Sequence, residues 1–127
     1  MKSSRVRRGV VADAGSESAL RVLLLAGELE VRGSTAMTLR LAEHLGEHGF
    51  KPLIVCSSAA RLSAETRREV EIREYPGLST RVIGQLIRRL LARDFRDLPP
   101  ILVHVQSRRL ASLGGWLASN WSRPLVV

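Results

Sequence analysis

Two short segments of this chain carry the residue types that hold anions. Arg32-Gly33-Ser34 comes soon after the apolar run RVLLLAG, and Gln106-Ser107-Arg108-Arg109 comes directly after ILVHV. A guanidinium presents a rigid fork of donors that fits phosphate or carboxylate. Ser hydroxyls and the free N–H groups of a helix start add donors for the same kind of ligand. Gly33 allows a backbone to approach a ligand closely. The chemistry on offer is the binding of a phosphate, a diphosphate or an anionic lipid headgroup. Each segment also has a plainer reading. Arg32-Gly33-Ser34 reads equally as an ordinary helix start, and Arg108 and Arg109 as solvated side chains that add only net charge. Two arginines in the first turn of a helix oppose its dipole by a few tenths of a kcal/mol each. Local mismatches of that kind are expected at functional sites.

Other chemistry-bearing residues read as structural. His104 lies inside an apolar run, where a hydrogen-bonded buried imidazole is the expectation. His44 and His48 are four apart, a spacing that can hold a metal, but no H-E-x-x-H carboxylate accompanies them. They read as a surface face. Cys56 is the sole cysteine, which excludes an internal disulfide framework and a Cys-based zinc site. Its apolar neighbours make it a small core residue and not a nucleophile. No metal and no cofactor is expected, and no catalytic residue is assignable. There is no G-x-G-x-x-G after the first strand, no G-x-x-x-x-G-K-[ST] and no G-x-S-x-G. A dinucleotide-dependent dehydrogenase, a P-loop NTPase and a serine hydrolase are correspondingly disfavoured.

The elements that position these residues follow from apolar periodicity. RVLLLAG, KPLIVCSS and ILVHVQS are short continuous apolar runs, suited to strands buried on both faces, and RPLVV reads as a fifth strand that runs into the chain end. EIREYPG alternates and reads as a strand near an edge. Pro52 sits near a strand start, where a missing N–H is tolerable. A helix capped by Ser34 or Thr35 runs to about His48, with Met37, Leu41, Ala42 and Leu45 on one stripe and Gly49 as its stop. RLSAETRREV reads as a short polar helix or turn. In STRVIGQLIRRLLARDF, Val82, Ile83, Leu86, Ile87, Leu90 and Leu91 cover one half; Arg81, Arg88, Arg89 and Arg93 lie on the other. RRLASLGGWLASNW is a helix with Leu110, Leu113, Gly114, Leu117 and Trp121 on one stripe.

Strict alternation of strand and helix implies an α/β fold: a doubly wound parallel sheet of about five strands, order 3-2-1-4-5, with helices on both faces. Ligands of such sheets bind beyond the carboxyl ends of the strands, where the strand order reverses. Here that point falls between the first and fourth strands, bordered by GELEVRGST and VQSRR.

At 127 residues the chain has room for one domain. Residues 1–19 read as a disordered basic leader and 20–127 as the folded domain. The net charge is +8, from 20 Lys+Arg against 12 Asp+Glu, almost all of it arginine. That field favours anionic partners without choosing among them. Scarce aromatics leave no platform for stacking bases, so nucleic acid is disfavoured. No apolar run reaches the roughly eighteen residues of a membrane span, and the N-terminus has no signal-peptide core. The expected setting is the cytoplasm, with anionic membrane surface as a further partner through the arginine face of 79–95.

The run RVLLLAGELEVRGSTAMTLRLAEHLGEHGFKPLIVCSS resembles the opening of family-4 retaining glycosyltransferases. These start with a strand, a Gly-containing loop, a helix of pattern L-A-x-x-L-x-x-x-G-H and a second strand. Leu41-Ala42, Leu45, Gly49 and Phe50 stand in that pattern. ILVHVQSRRLASLGGWLASNWSRPLVV resembles the family's H-x-H strand, the next helix and the next strand, so the resemblance runs from about Arg21 to Val127. It implies a GT-B enzyme, in which two Rossmann-like domains face each other across a cleft. The N-terminal domain mainly receives the acceptor; the C-terminal domain holds most of the nucleotide-sugar donor. The loop after the first strand approaches the donor phosphates, which is the role the resemblance gives Gly33. The chain departs from the family in three places. Arg32 precedes a single glycine, Gln106 replaces the second His of H-x-H, and the family's T-x-H segment and donor domain would lie beyond Val127.

Two functions follow as expectations. One is the N-terminal acceptor-side half of a nucleotide-sugar-dependent glycosyltransferase, of hexosyltransferase type and inactive alone. Its partners would be a nucleotide-sugar donor, a sugar or lipid-linked acceptor and a separate donor domain. The other is a stand-alone nucleotide- or phosphate-binding module without catalysis.

Overall fold

A computed structural model describes residues 20–29, 34–79 and 85–127. Strands β1 (Arg21–Leu25) and β2 (Lys51–Cys56) are apolar at successive positions because helices cover both of their faces. Alternation along the strands sends Val22, Leu24, Ile54 and Cys56 into one core. Leu23, Leu25, Leu53 and Val55 go into the other. The remaining strands are β3 (Glu71–Glu74), β4 (Leu102–Val105) and β5 (Leu125–Val126). All pairings are parallel, and the spatial order is β3-β2-β1-β4-β5. This is the expected doubly wound sheet, with the polar, alternating β3 at an edge.

Helix α1 (Ser34–Glu47) covers the first core and α2 (Ala64–Glu69) flanks it on the way to β3. Helices α3 (Gln85–Asp94) and α4 (Ala111–Trp121) cover the second, where Leu91, Phe95, Leu113 and Leu117 meet the sheet. Phe95 meets Trp121 edge-on, with ring centroids 5.9 Å apart. Local signals mark three helix ends, of which the Gly49 stop was expected. Gly49 closes α1 with φ +86. Ser63 Oγ accepts the Thr66 N–H at 3.1 Å to start α2. Ser122, in the left-handed region at φ 55, ends α4.

The structure corrects three details. Met37 is not on the buried stripe of α1 and is 69% exposed. It lies about 100° from Thr38, which occupies the buried row with Thr35 and Ala42. Leu86 is 70% exposed, because it stands about 140° around α3 from the fully buried Leu91. Arg108 and Arg109 do not begin an α-helix. They form a 3₁₀ turn (Arg108–Leu110), and α4 follows at Ala111. The dipole mismatch expected of these arginines therefore belongs to that turn and not to the first turn of α4. The expected helical residues 80–84, Arg81, Val82 and Ile83 among them, and the leader 1–19 lie outside the described residues.

Candidate functional site

The carboxyl ends of β1, β2 and β4 are laced together by backbone hydrogen bonds. The Gln106 N–H donates to Leu25 O at 2.8 Å, and the Ala26 N–H to Val55 O at 2.8 Å. Beyond the strands, Ser57 N–H donates to Gly27 O at 3.3 Å and Leu29 N–H to Ser58 O at 2.9 Å. The start of the loop after β1 is thus pinned against the loop after β2. The expected site lies on this edge.

Its residues divide into two kinds. Gln106 is tied down at both ends of its amide. Thr38 Oγ1, buried on α1, donates to Gln106 Oε1 at 3.2 Å. The amide nitrogen donates to His104 Nδ1. Burial lowers the His104 pKa, so the neutral imidazole is the acceptor this bond requires. The expectation of a hydrogen-bonded His104 is met, though its side chain is only half-buried. Arg109 is also anchored. A guanidinium nitrogen donates to Leu78 O, in the 3₁₀ turn Pro76–Ser79, at 3.1 Å. The same nitrogen lies 3.9 Å from where a Cβ on Gly27 would stand.

Arg108 is exposed; its carbonyl accepts the Ala111 N–H, and no hydrogen bond or ion pair joins its guanidinium to another described residue. Ser107 is half-buried. Its carbonyl accepts the Leu110 N–H at 2.9 Å, while its hydroxyl makes no capping bond. Ser34 opens α1. Arg32 and Gly33, and the side chain of Ser34, lie outside the described residues. The structure therefore assembles Gln106, Ser107, Arg108 and Arg109 on one edge, beside Thr38 and Gly27.

A neighbouring cleft of about 510 Å³ opens at the ends of β1, β2 and β3, lined by Glu28, Ser57, Ser58, Glu74 and Pro76. Glu74 closes the loop after β2: its carboxylate accepts the Ala59 N–H at 2.8 Å and Arg67 at 3.3 Å. The Ser57 hydroxyl is buried without a hydrogen-bond partner among the described residues. Cys56, at the end of β2, is buried, and burial followed by the Glu74 charge pushes its thiol up to about 12. It is the core residue expected and not a nucleophile.

Sequence reasoning did not single out Thr38, Gly27, Glu28, Ser57 or Ser58. Gly27, Glu28, Ser57 and Ser58 all directly follow apolar strands, so the carboxyl-end rule reaches them. Thr38 carried no signal, because a threonine within a helix reads as neutral.

Among the described residues, no group of three His, Cys, Asp or Glu side chains is placed to hold a metal. His44 is exposed on α1 and His48 is exposed in the turn just after it, where His48 Nδ1 donates to His44 O at 2.8 Å. No helix among the described residues is long and apolar enough to cross a membrane.

No family model matches the chain, and no curated protein matches it in sequence. Among solved structures, it is similar to the crystal structure of a glycosyltransferase from Rickettsia africae ESF-5. The TM-score is 0.59 at 16% identity, over 83% of this chain and 28% of that one. Identity this low bears on architecture alone, and the architecture is a glycosyltransferase-like α/β fold. The chain spans 28% of the length of that relative.

Proposed function

We propose that this chain is the N-terminal, acceptor-side domain of a nucleotide-sugar-dependent GT-B glycosyltransferase. The observation that carries the reading is the structural likeness, which takes in 83% of this chain and only 28% of a glycosyltransferase. A further domain would face the carboxyl edge and hold most of the donor. Arg108 reaches toward the donor diphosphate, with Arg109 behind it fixed by Leu78 O. Arg32, Gly33 and Ser34 would add donors for the same diphosphate. Preorganised positive charge and N–H donors there would stabilise the leaving diphosphate as negative charge develops. The acceptor, a sugar or a lipid-linked sugar, would lie along the same edge. The setting is the cytoplasm, and the chain alone would be inactive, because it supplies no assignable acid, base or nucleophile.

The test assays the product of the complete gene for transfer from labelled nucleotide sugars, beside the 127-residue chain alone. Transfer by the complete product and none by the chain alone is expected. Arg108→Ala with Arg109→Ala should lower that transfer by about tenfold or more. A folded complete product that transfers no sugar overturns the reading. So does nucleotide binding by the chain alone at undiminished affinity, which would make it a stand-alone binding module.

A further inference from the structure

Helix α3 turns two different faces outward and inward. Its inner face is occupied. Leu91 is fully buried, Ile87 abuts Gly77 so closely that a Cβ there would stand 2.6 Å from Ile87 Cγ1, and Arg88 lies over the Trp116 ring at 5.9 Å. Its outer face is made of Gln85, Leu86, Arg89 and Arg93, all exposed. These positions fall within about 100° of one another around the helix, and no carboxylate stands among them. Asp94 is drawn away from this face by the Tyr75 hydroxyl, which donates to it at 2.6 Å. Arg93 also lies 3.6 Å from Asp94, an exposed pair of the weak kind. Just beyond the helix, Arg96 is exposed and Leu98 is 49% exposed.

A single exposed leucine is ordinary on a protein surface. Leu86 differs because it is 70% exposed on a face whose other long side chains are arginines. An arginine-leucine ridge matches one surface chemically: an anionic headgroup layer above hydrocarbon. A purely anionic macromolecule would satisfy the arginines and leave Leu86 in water.

We propose that the outer face of α3 docks on an anionic lipid surface, with Arg89 and Arg93 on the headgroups and Leu86 inserted between them. The ridge begins near the carboxyl edge, since Ile87 packs against the turn that follows β3. Docking there would bring the carboxyl edge close to the headgroup layer. The inference stands on the surface alone and goes beyond the proposed transferase reading.

The test is co-sedimentation of the whole chain with phosphatidylcholine vesicles, with and without phosphatidylglycerol. Binding is expected only to vesicles containing phosphatidylglycerol, and it should weaken with salt. Arg89→Glu with Arg93→Glu should weaken it by more than roughly twenty-five-fold, since loss of each arginine alone is worth about fivefold and the new carboxylates add repulsion. Arg89→Gln with Arg93→Gln checks the same point without introducing charge. Leu86→Ser should weaken binding about fivefold while keeping its salt dependence. All three positions are exposed, so folding should survive. Absence of binding to anionic vesicles overturns the proposal. So does undiminished binding by both arginine pairs, which would assign attachment to Arg5, Arg7 and Arg8. Undiminished binding by Leu86→Ser, with equal binding to single-stranded RNA, would overturn it in favour of a nucleic-acid surface.

Discussion

Thr38 Oγ1 on α1 and Gln106 Oε1 in the loop after β4 stand 3.2 Å apart, although 68 positions separate them in the chain. The bond has a direction. A hydroxyl donates to the amide oxygen, and the amide nitrogen donates onward to His104 Nδ1. The two ends of the sheet's switch point, the start of α1 and the end of β4, are thereby held as one unit beneath Arg108 and Arg109.

Breaking either end should be measurable. Thr38→Val keeps the shape and removes the donor, at an expected cost of about 1 kcal/mol. Gln106→Ala leaves both Thr38 and His104 without this partner and should cost about 1–2 kcal/mol. A double-mutant cycle by urea denaturation should return a coupling of about 0.5–1.5 kcal/mol. Coupling near zero would show that the bond does not hold the loops in solution.

Burial holds the His104 imidazole below its ordinary value of 6.5. The unfolded chain therefore takes up this proton at a higher pH than the folded one. The stability that depends on neutral His104 is present in full above about pH 6.5 and is lost as the pH falls from there through the folded value. Urea midpoints measured at about pH 7.5 and about pH 5.5 should fall less for His104→Asn than for the unchanged chain. Equal falls would mean that carboxylates carry the whole dependence.

Strand order was legible because continuous apolar runs at RVLLL and PLIVC demand burial on both faces, and alternation at EIRE demands an edge. The stripe of α4 was legible for a similar reason: Leu113 and Leu117 fix its phase. Met37 and Leu86 were misread because each lies at the margin of an apolar arc, where an adjacent residue decides the phase. For α1 that residue is Thr38, whose side-chain hydrogen bond to Gln106 compensates its burial. Periodicity counts apolar residues and does not see such partners. The anchoring of Arg109 by Leu78 O was equally invisible, since 31 positions separate them.

The two neighbouring arginines should behave differently. Arg109→Ala removes the bond to Leu78 O and should destabilise the fold by about 1 kcal/mol. Arg108→Ala, at an exposed guanidinium joined to no other described residue by a hydrogen bond or ion pair, should leave thermal unfolding unchanged within about 0.5 kcal/mol. Equal destabilisation by both would show that Arg109 is not anchored as described.

Cys56 offers a probe of global opening. Its thiol is buried and pushed up to about 12, so thiolate is scarce at neutral pH. Labelling by a thiol reagent should be slow in the folded chain and should accelerate through the urea transition. Rapid labelling of the folded protein would mean that the end of β2 opens locally.

Two adjacent glycines in α4 test how closely that helix rides on the sheet. A Cβ on Gly114 would stand 2.3 Å from Val105 Cγ2, closer than carbon atoms approach one another, with Leu125 Cδ1 also near at 3.3 Å. Gly114→Ala must therefore push α4 away from β4 or force Val105 out of its rotamer, at a cost of about 1–3 kcal/mol. A Cβ on Gly115 would meet, among the described residues, only Leu125 Cδ2 at 3.8 Å, an ordinary contact. There the gain in helix propensity, roughly 1 kcal/mol, should appear unopposed. Thermal unfolding of the two variants should thus move in opposite directions. Because α4 follows directly from the turn that holds Arg108 and Arg109, Gly114→Ala should also disturb the edge that carries the proposed anion site, which under the proposed function would read as a loss of nucleotide affinity. Destabilisation of equal size at both positions would show that helix breaking, and not the close approach to Val105, sets the cost.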